Sequence, residues 1–161
     1  MTATGKIVVI RCGTCTYRLA YPTFFLEANK ATVRKIFKLL YRHDWQNRET
    51  IEFLEREMPN LAEEVAAQGA AKVEEKAERL RRIRADYDRD FLDPDPSTFP
   101  KGMTREQIRA EKAARKDWNA PRWQRVKDAK ANHDRAKNDA SKNTQRARQI
   151  YDLFVTEKRS I

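Results

Sequence analysis

Residues 126–154 read VKDAKANHDRAKNDASKNTQRARQIYDLF. Val126, Ala129, His133, Ala136, Ala140, Asn143, Ala147, Ile150 and Phe154 follow one another in alternating steps of three and four. Residues three and four apart share one face of a helix, so this period is the seam along which one helix packs on another. Most of the seam is alanine, which lets the two helices approach closely. The stretch predicts a long α-helix, and the fold then turns on where its partner lies.

Upstream, residues 60–89 supply one. No proline interrupts them, and Gly69 is the one weak point for a helix. Ala66, Val73, Leu80 and Tyr87 recur every seven residues, with Ala70, Ala77 and Ile83 nearby. Asn60 is placed to cap this helix, and Glu75–Arg79 and Glu78–Arg82 are ion pairs in the favourable order. The run from Asp93 to Gly102 carries three prolines and breaks the pattern. Thr104 and Gln107 form a capping box that restarts it. Asn119-Ala120-Pro121 predicts a further kink or restart. The simplest arrangement is an antiparallel helical hairpin, in which a helix of about 30 residues runs about 45 Å. It returns the chain's end to the hairpin's base, where the cluster Ile150, Tyr151, Leu153, Phe154 and Val155 is expected to dock. A seam does not specify whose helix it meets, so an intermolecular coiled coil is the rival.

Large apolar residues concentrate in residues 6–58. Lys6–Arg11 is β-branched, and Thr16–Tyr21 alternates with Tyr17, Leu19 and Tyr21 on one face. With Cys12-Gly13-Thr14-Cys15 between them they read as a β-hairpin. An isolated hairpin is marginal and needs a helix over it. Asn29 caps a helix with Val33, Ile36, Phe37, Leu40 and Tyr41 on one stripe. A second helix at about 47–58 stops at Pro59. The fold class is therefore predominantly α (α+β): a compact α+β head at 1–59, then a helical hairpin arm at 60–161 with a loop near 91–103.

The chain has 161 residues, four glycines, 36% charged residues and a net charge of +10. Its mean hydropathy is −0.90 and its pI about 9.8. Such a surplus favours polyanionic partners: nucleic acid, an acidic protein surface or anionic lipid. Residues 61–100 carry seven basic and ten acidic side chains, whereas 101–161 carry seventeen and eight, so the excess lies on the return helix. Two cysteines argue against a disulfide-built secreted module. Residues 1–10 lack a signal-type apolar run, and no stretch approaches a membrane span. A cytoplasmic protein without a membrane partner is expected.

Cys12 and Cys15 have the spacing of half a zinc site, but a structural site needs four ligands and only His43 and His133 remain. A plain turn is the expected reading, with no cofactor. Asp86, Asp88, Asp90, Asp93 and Asp95 resemble a calcium loop, yet Phe91 and Ser97 stand where that loop needs Gly and Glu. Trp118 and Trp123 with Arg115, Lys116, Arg122 and Arg125 make an aromatic-basic patch suited to bases or a protein partner. The alternative is that the tryptophans pack across the helix break and steady it. Lys127, Lys130, Arg135, Lys137, Lys142, Arg146 and Arg148, with Arg125, spread around the outside of the return helix. No phosphate-cradling loop or HExxH is present, and the two histidines lie ninety positions apart, so no enzyme is expected.

The leading expectation is a nucleic-acid- or ribonucleoprotein-associated binding factor, its partner RNA or DNA, using Arg115–Arg148. A second is an inhibitor or adaptor docking on a larger protein or ribonucleoprotein complex that handles nucleic acid. Phage and mobile-element anti-defence factors such as anti-CRISPRs share that size and charge-rich character, an analogy without a motif. A third is a scaffold that forms a homodimer through the arm.

Overall fold

The computed structural model describes residues 5–160. It is mostly α with one small sheet: β1 (Ile7–Cys12), β2 (Cys15–Ala20), α1 (Thr23–Glu27), α2 (Lys30–Arg42), α3 (Asp44–Glu57), α4 (Leu61–Asp90) and α5 (Arg105–Arg159), with 3-10 turns at Met58–Asn60 and Pro96–Thr98. The chain divides into two compact units, Met1–Ala70 with Asp139–Ile161, and Ala71–Asn138.

In the first unit β1 and β2 pair antiparallel, from Ile7 opposite Ala20 to Cys12 opposite Cys15. Gly13, at φ +57, occupies the first central position of the two-residue turn, where a side chain is disfavoured. A two-stranded sheet leaves an outer edge on β1, and α3 covers part of it. The Asn47 side chain accepts from the Arg11 N–H at 2.6 Å and donates to the Arg11 carbonyl at 2.9 Å. Thr50 Oγ1 donates to the Val9 carbonyl at 2.8 Å. Asn29 caps α2 by accepting from the Thr32 N–H, and α2 buries Val33, Ile36, Phe37 and Leu40.

The end of α5 completes this core. Ala147, Ile150, Leu153 and Phe154 are buried with Ile10, Phe25, Phe37, Leu54 and Leu61, and the Phe154 ring lies 5.3 Å from that of Phe37. Each large apolar side chain so buried contributes about 1.5–3 kcal/mol, so the final turns of α5 are integral to the unit. Gly69 lies against Ala140: a Cβ on Gly69 would come 2.8 Å from the Ala140 Cβ. The glycine is thus a point of close helix approach as well as a low-propensity residue.

In the second unit α4 and α5 run antiparallel, and α5 holds the loop between them. Asn119 accepts from the Leu92 N–H at 3.0 Å and donates to the Leu92 carbonyl at 2.6 Å. The Trp118 indole N–H donates to the Asp90 carbonyl at 3.0 Å, satisfying an orphan acceptor at the end of α4. Arg115 donates to the Asp93 carbonyl and stacks on the buried Phe99 ring. Thr104 and Gln107 form the reciprocal capping box.

Four local expectations are corrected. Asn119-Ala120-Pro121 does not restart the helix: α5 continues through Pro121. A proline forfeits the hydrogen bond to the carbonyl four residues earlier, here that of Asp117, but contacts from Trp118, Asn119, Trp123 and the buried Val126 hold both sides of the gap. Asn60 lies inside a 3-10 turn begun around Pro59 instead of standing as an extended cap. Asn143 is exposed and Thr144 takes its seam place, a step of four after Ala140 made tolerable because the Thr144 hydroxyl donates to the Ala140 carbonyl. Glu78 pairs with Arg82 as expected, whereas Glu75 pairs with its neighbour Lys76.

Candidate functional site

The two long helices treat their cations differently. Of the seven basic residues of α4, five are in ion pairs: Lys76, Arg81, Arg82, Arg84 and Arg89. Helix α5 carries sixteen basic and eight acidic side chains. Among the described residues only three of the sixteen have an ion-pair partner: Arg115, Lys130 and Lys158. Helix α4 is nearly balanced, with seven basic and eight acidic side chains and most of its cations in surface pairs, whereas α5 carries eight more basic than acidic side chains.

The residues expected to bind fall into two groups. Arg115, Trp118 and Arg146 have structural contacts: the first two hold the loop, and Arg146 donates to the Ala28 carbonyl. Arg122 stacks 3.5 Å from the centroid of the Trp118 ring and donates to the Trp118 carbonyl. Trp118 is 46% exposed but tied to the end of α4 by its indole N–H, whereas Trp123 meets Tyr87 across the helix pair. Lys116, Arg125, Lys127, Arg135 and Lys137 in the second unit, and Lys142 and Arg148 in the first, are exposed. Lys130 is exposed and 3.8 Å from Asp134, a pair worth little in water.

The cations of α5 spread around its outside, yet some of them are also ordered along its axis. Arg109, Lys116, Trp123, Lys130 and Lys137 recur every seven residues, and all are exposed. Lys130 and Lys137 each directly follow the seam residues Ala129 and Ala136, so the row borders the groove between α5 and α4. Its members stand about 10.5 Å apart along the axis. The period is written in the sequence, but in cations and one tryptophan rather than in the apolar residues that mark a seam.

Trp123 interrupts the basic row with an aromatic ring. Its centroid lies 5.2 Å from that of Tyr87, which lies 5.6 Å from that of Phe91. The Arg84 guanidinium is 6.0 Å from the Trp123 centroid and 4.0 Å from the Asp88 carboxylate. Together with Lys116, Asn119 and Ala120 these residues line an open cleft of about 530 Å³. Phe91 and Trp123 remain 43% and 38% exposed, an uncommon state for such large rings at a helix seam.

The acidic run is locally occupied. Asp86 and Asp90 pair with Arg89, and Asp88 with Arg84. Asp93 and Asp95 accept from the backbone N–H groups of Asp95 and Ser97. The bond from Ser97 holds the Asp95 carboxyl below the usual range. At the hairpin, Cys12 Sγ lies 3.3 Å from His43 Nε2 and Cys15 is exposed. Among the described residues no three His, Cys, Asp or Glu side chains come together as a metal site, and no helix is long and apolar enough to cross a membrane.

A second cleft, of about 510 Å³, opens in the first unit between β1 and α3. Its rim carries Trp45, 77% exposed. No protein-family model, curated protein sequence or solved structure matches this chain.

Proposed function

We propose that this protein is a non-enzymatic nucleic-acid-binding factor that holds phosphates along α5. The observation that supports it most is the contrast in ion pairing: α4 satisfies its cations internally, while thirteen of sixteen on α5 have no ion-pair partner among the described residues. Lysine and arginine left free on a rigid helix bind phosphates by releasing condensed counterions, without a base-specific code. The role is to coat or position RNA or DNA, alone or within a ribonucleoprotein.

Charge reversal tests this reading. Lys127→Glu, Lys130→Glu and Lys137→Glu, combined, remove three cations from exposed positions. Binding of a fluorescent 20-mer, followed by anisotropy at 50 mM NaCl, is expected to weaken at least a hundredfold with helical circular dichroism unchanged. Equal affinity in the variant and the parent sinks the proposal.

A second reading is favoured by Trp45. A tryptophan exposed beside a cleft is the residue type most enriched in protein-interface hot spots. On this reading the chain is an adaptor or inhibitor that docks on a nucleic-acid-handling complex through its first unit. Trp45→Ala, tested for complex capture from nuclease-treated lysate, separates it from the first: only the adaptor loses its partner.

A further inference from the structure

The cleft at Tyr87, Phe91 and Trp123 points to a more specific ligand. Resting on the nucleic-acid reading above, we infer that it is a stacking site for an unpaired base of single-stranded nucleic acid, with the neighbouring phosphates held by Lys116 and Lys127.

Three observations converge. Trp123 and Phe91 are the exposed rings of an aromatic group whose third member, Tyr87, backs them from α4. A buried packing cluster would close over such rings, whereas this one opens into about 530 Å³, room for a nucleotide. Trp123 sits inside the basic row rather than beside it. Lys116 precedes Trp123 by seven residues and Lys127 follows it by four, so cations bracket the aromatic surface along the helix. Finally, neither Lys116, which lines the cleft, nor Lys127, one helical turn beyond Trp123, has an ion-pair partner among the described residues, whereas Arg84, also in the lining, is shared between Asp88 and the Trp123 ring. The cleft thus keeps a free cation in Lys116, while the charge of Arg84 is already shared.

A polar backbone tracked by lysines, with bases laid on aromatic faces, is how single strands are held without sequence preference. Duplex bases are already stacked on each other and cannot offer a face to Trp123. The cleft therefore discriminates strand state, while the remaining α5 cations bind either form.

The test compares a labelled 15-mer of deoxythymidine with a 15-base-pair duplex, both titrated by anisotropy from 50 to 300 mM NaCl. Trp123→Leu is expected to weaken single-strand binding about tenfold, leave duplex binding unchanged, and keep the salt slope. Trp123→Phe is expected to retain most of the single-strand affinity. Circular dichroism checks the helices, and if Trp123→Leu perturbs them, Phe91→Ala at the helix end serves in its place with the same expectation. Failure of the unaltered protein to bind either nucleic acid overturns the phosphate-binding reading and this site with it. Salt-sensitive binding of both that ignores Trp123→Leu and Phe91→Ala overturns the stacking site alone, and gives the cleft to another ligand such as a protein side chain.

Discussion

Replacing Asn47 by leucine is expected to cost about 3–5 kcal/mol. Asn47 is 2% exposed and, with Thr50, joins α3 to the sheet. Its amide accepts from the Arg11 N–H and donates to the carbonyls of Arg11, His43 and Leu40. Leucine is larger than asparagine, so no cavity term enters, and any overpacking at this buried position adds to the loss. The two bonds to Arg11 contribute about 1 kcal/mol each, and stranding a partly buried N–H and C=O adds about 1–3 kcal/mol. For a chain of this length the total corresponds to a fall in Tm of about 6–20 °C. Urea unfolding followed at 222 nm measures it, with Glu49→Ala on the exposed face of α3 as a control expected within about 0.5 kcal/mol. An Asn47→Leu loss below about 1 kcal/mol refutes the claim that this amide caps the sheet edge.

Four further outcomes follow from the packing and titration of the molecule. Gly69→Ala gains about 1 kcal/mol of helix propensity but forces a Cβ against Ala140, an overpacking cost of about 1–3 kcal/mol; the net is expected to be destabilising, and a clear rise in Tm contradicts the close approach. Phe154→Ala is expected to cost about 3–5 kcal/mol, and deleting residues 148–161 to lower the melting temperature of the first unit; an unchanged melt shows that α5 does not complete its core. Asn119→Ala releases the Leu92 backbone, so limited proteolysis is expected to cut within residues 91–104 faster than in the parent, equal rates arguing against the clamp. Burial, reinforced by Glu55, pushes the Tyr41 phenol up to about 12. A group that holds its proton more tightly when folded stabilises fully below the ordinary pKa near 10 and loses that contribution as pH rises from about 10 to 12. Melting temperature should fall across that window less steeply in Tyr41→Phe, and identical curves refute the assignment.

The seam from Val126 to Phe154 was legible because periodicity survives in the sequence whatever the partner, and the hairpin and the Asn29 cap because their chemistry is local. Gly69 was read only as a helix weakness, since its cost is visible in one residue while its use depends on Ala140, far along the chain. Asn119 and Asn47 were missed for a related reason: an asparagine's value lies in the backbone groups it meets, and those belong to other elements. Pro121 misled because its local cost is real, and only the contacts around it show why the helix continues. Of the candidate site, residue types were legible but roles were not. Arg115 and Trp118 face the loop, and the row through Trp123 lies at a spacing that had been searched only for apolar residues.

The most direct test is the salt dependence of binding by the unaltered protein. With about four phosphates held by the row of Arg109, Lys116, Lys130 and Lys137, the logarithm of the single-strand association constant is expected to fall against the logarithm of salt concentration with a slope of about −3. A slope near zero, or no binding at 50 mM NaCl, contradicts the assignment of α5 as a phosphate-binding helix.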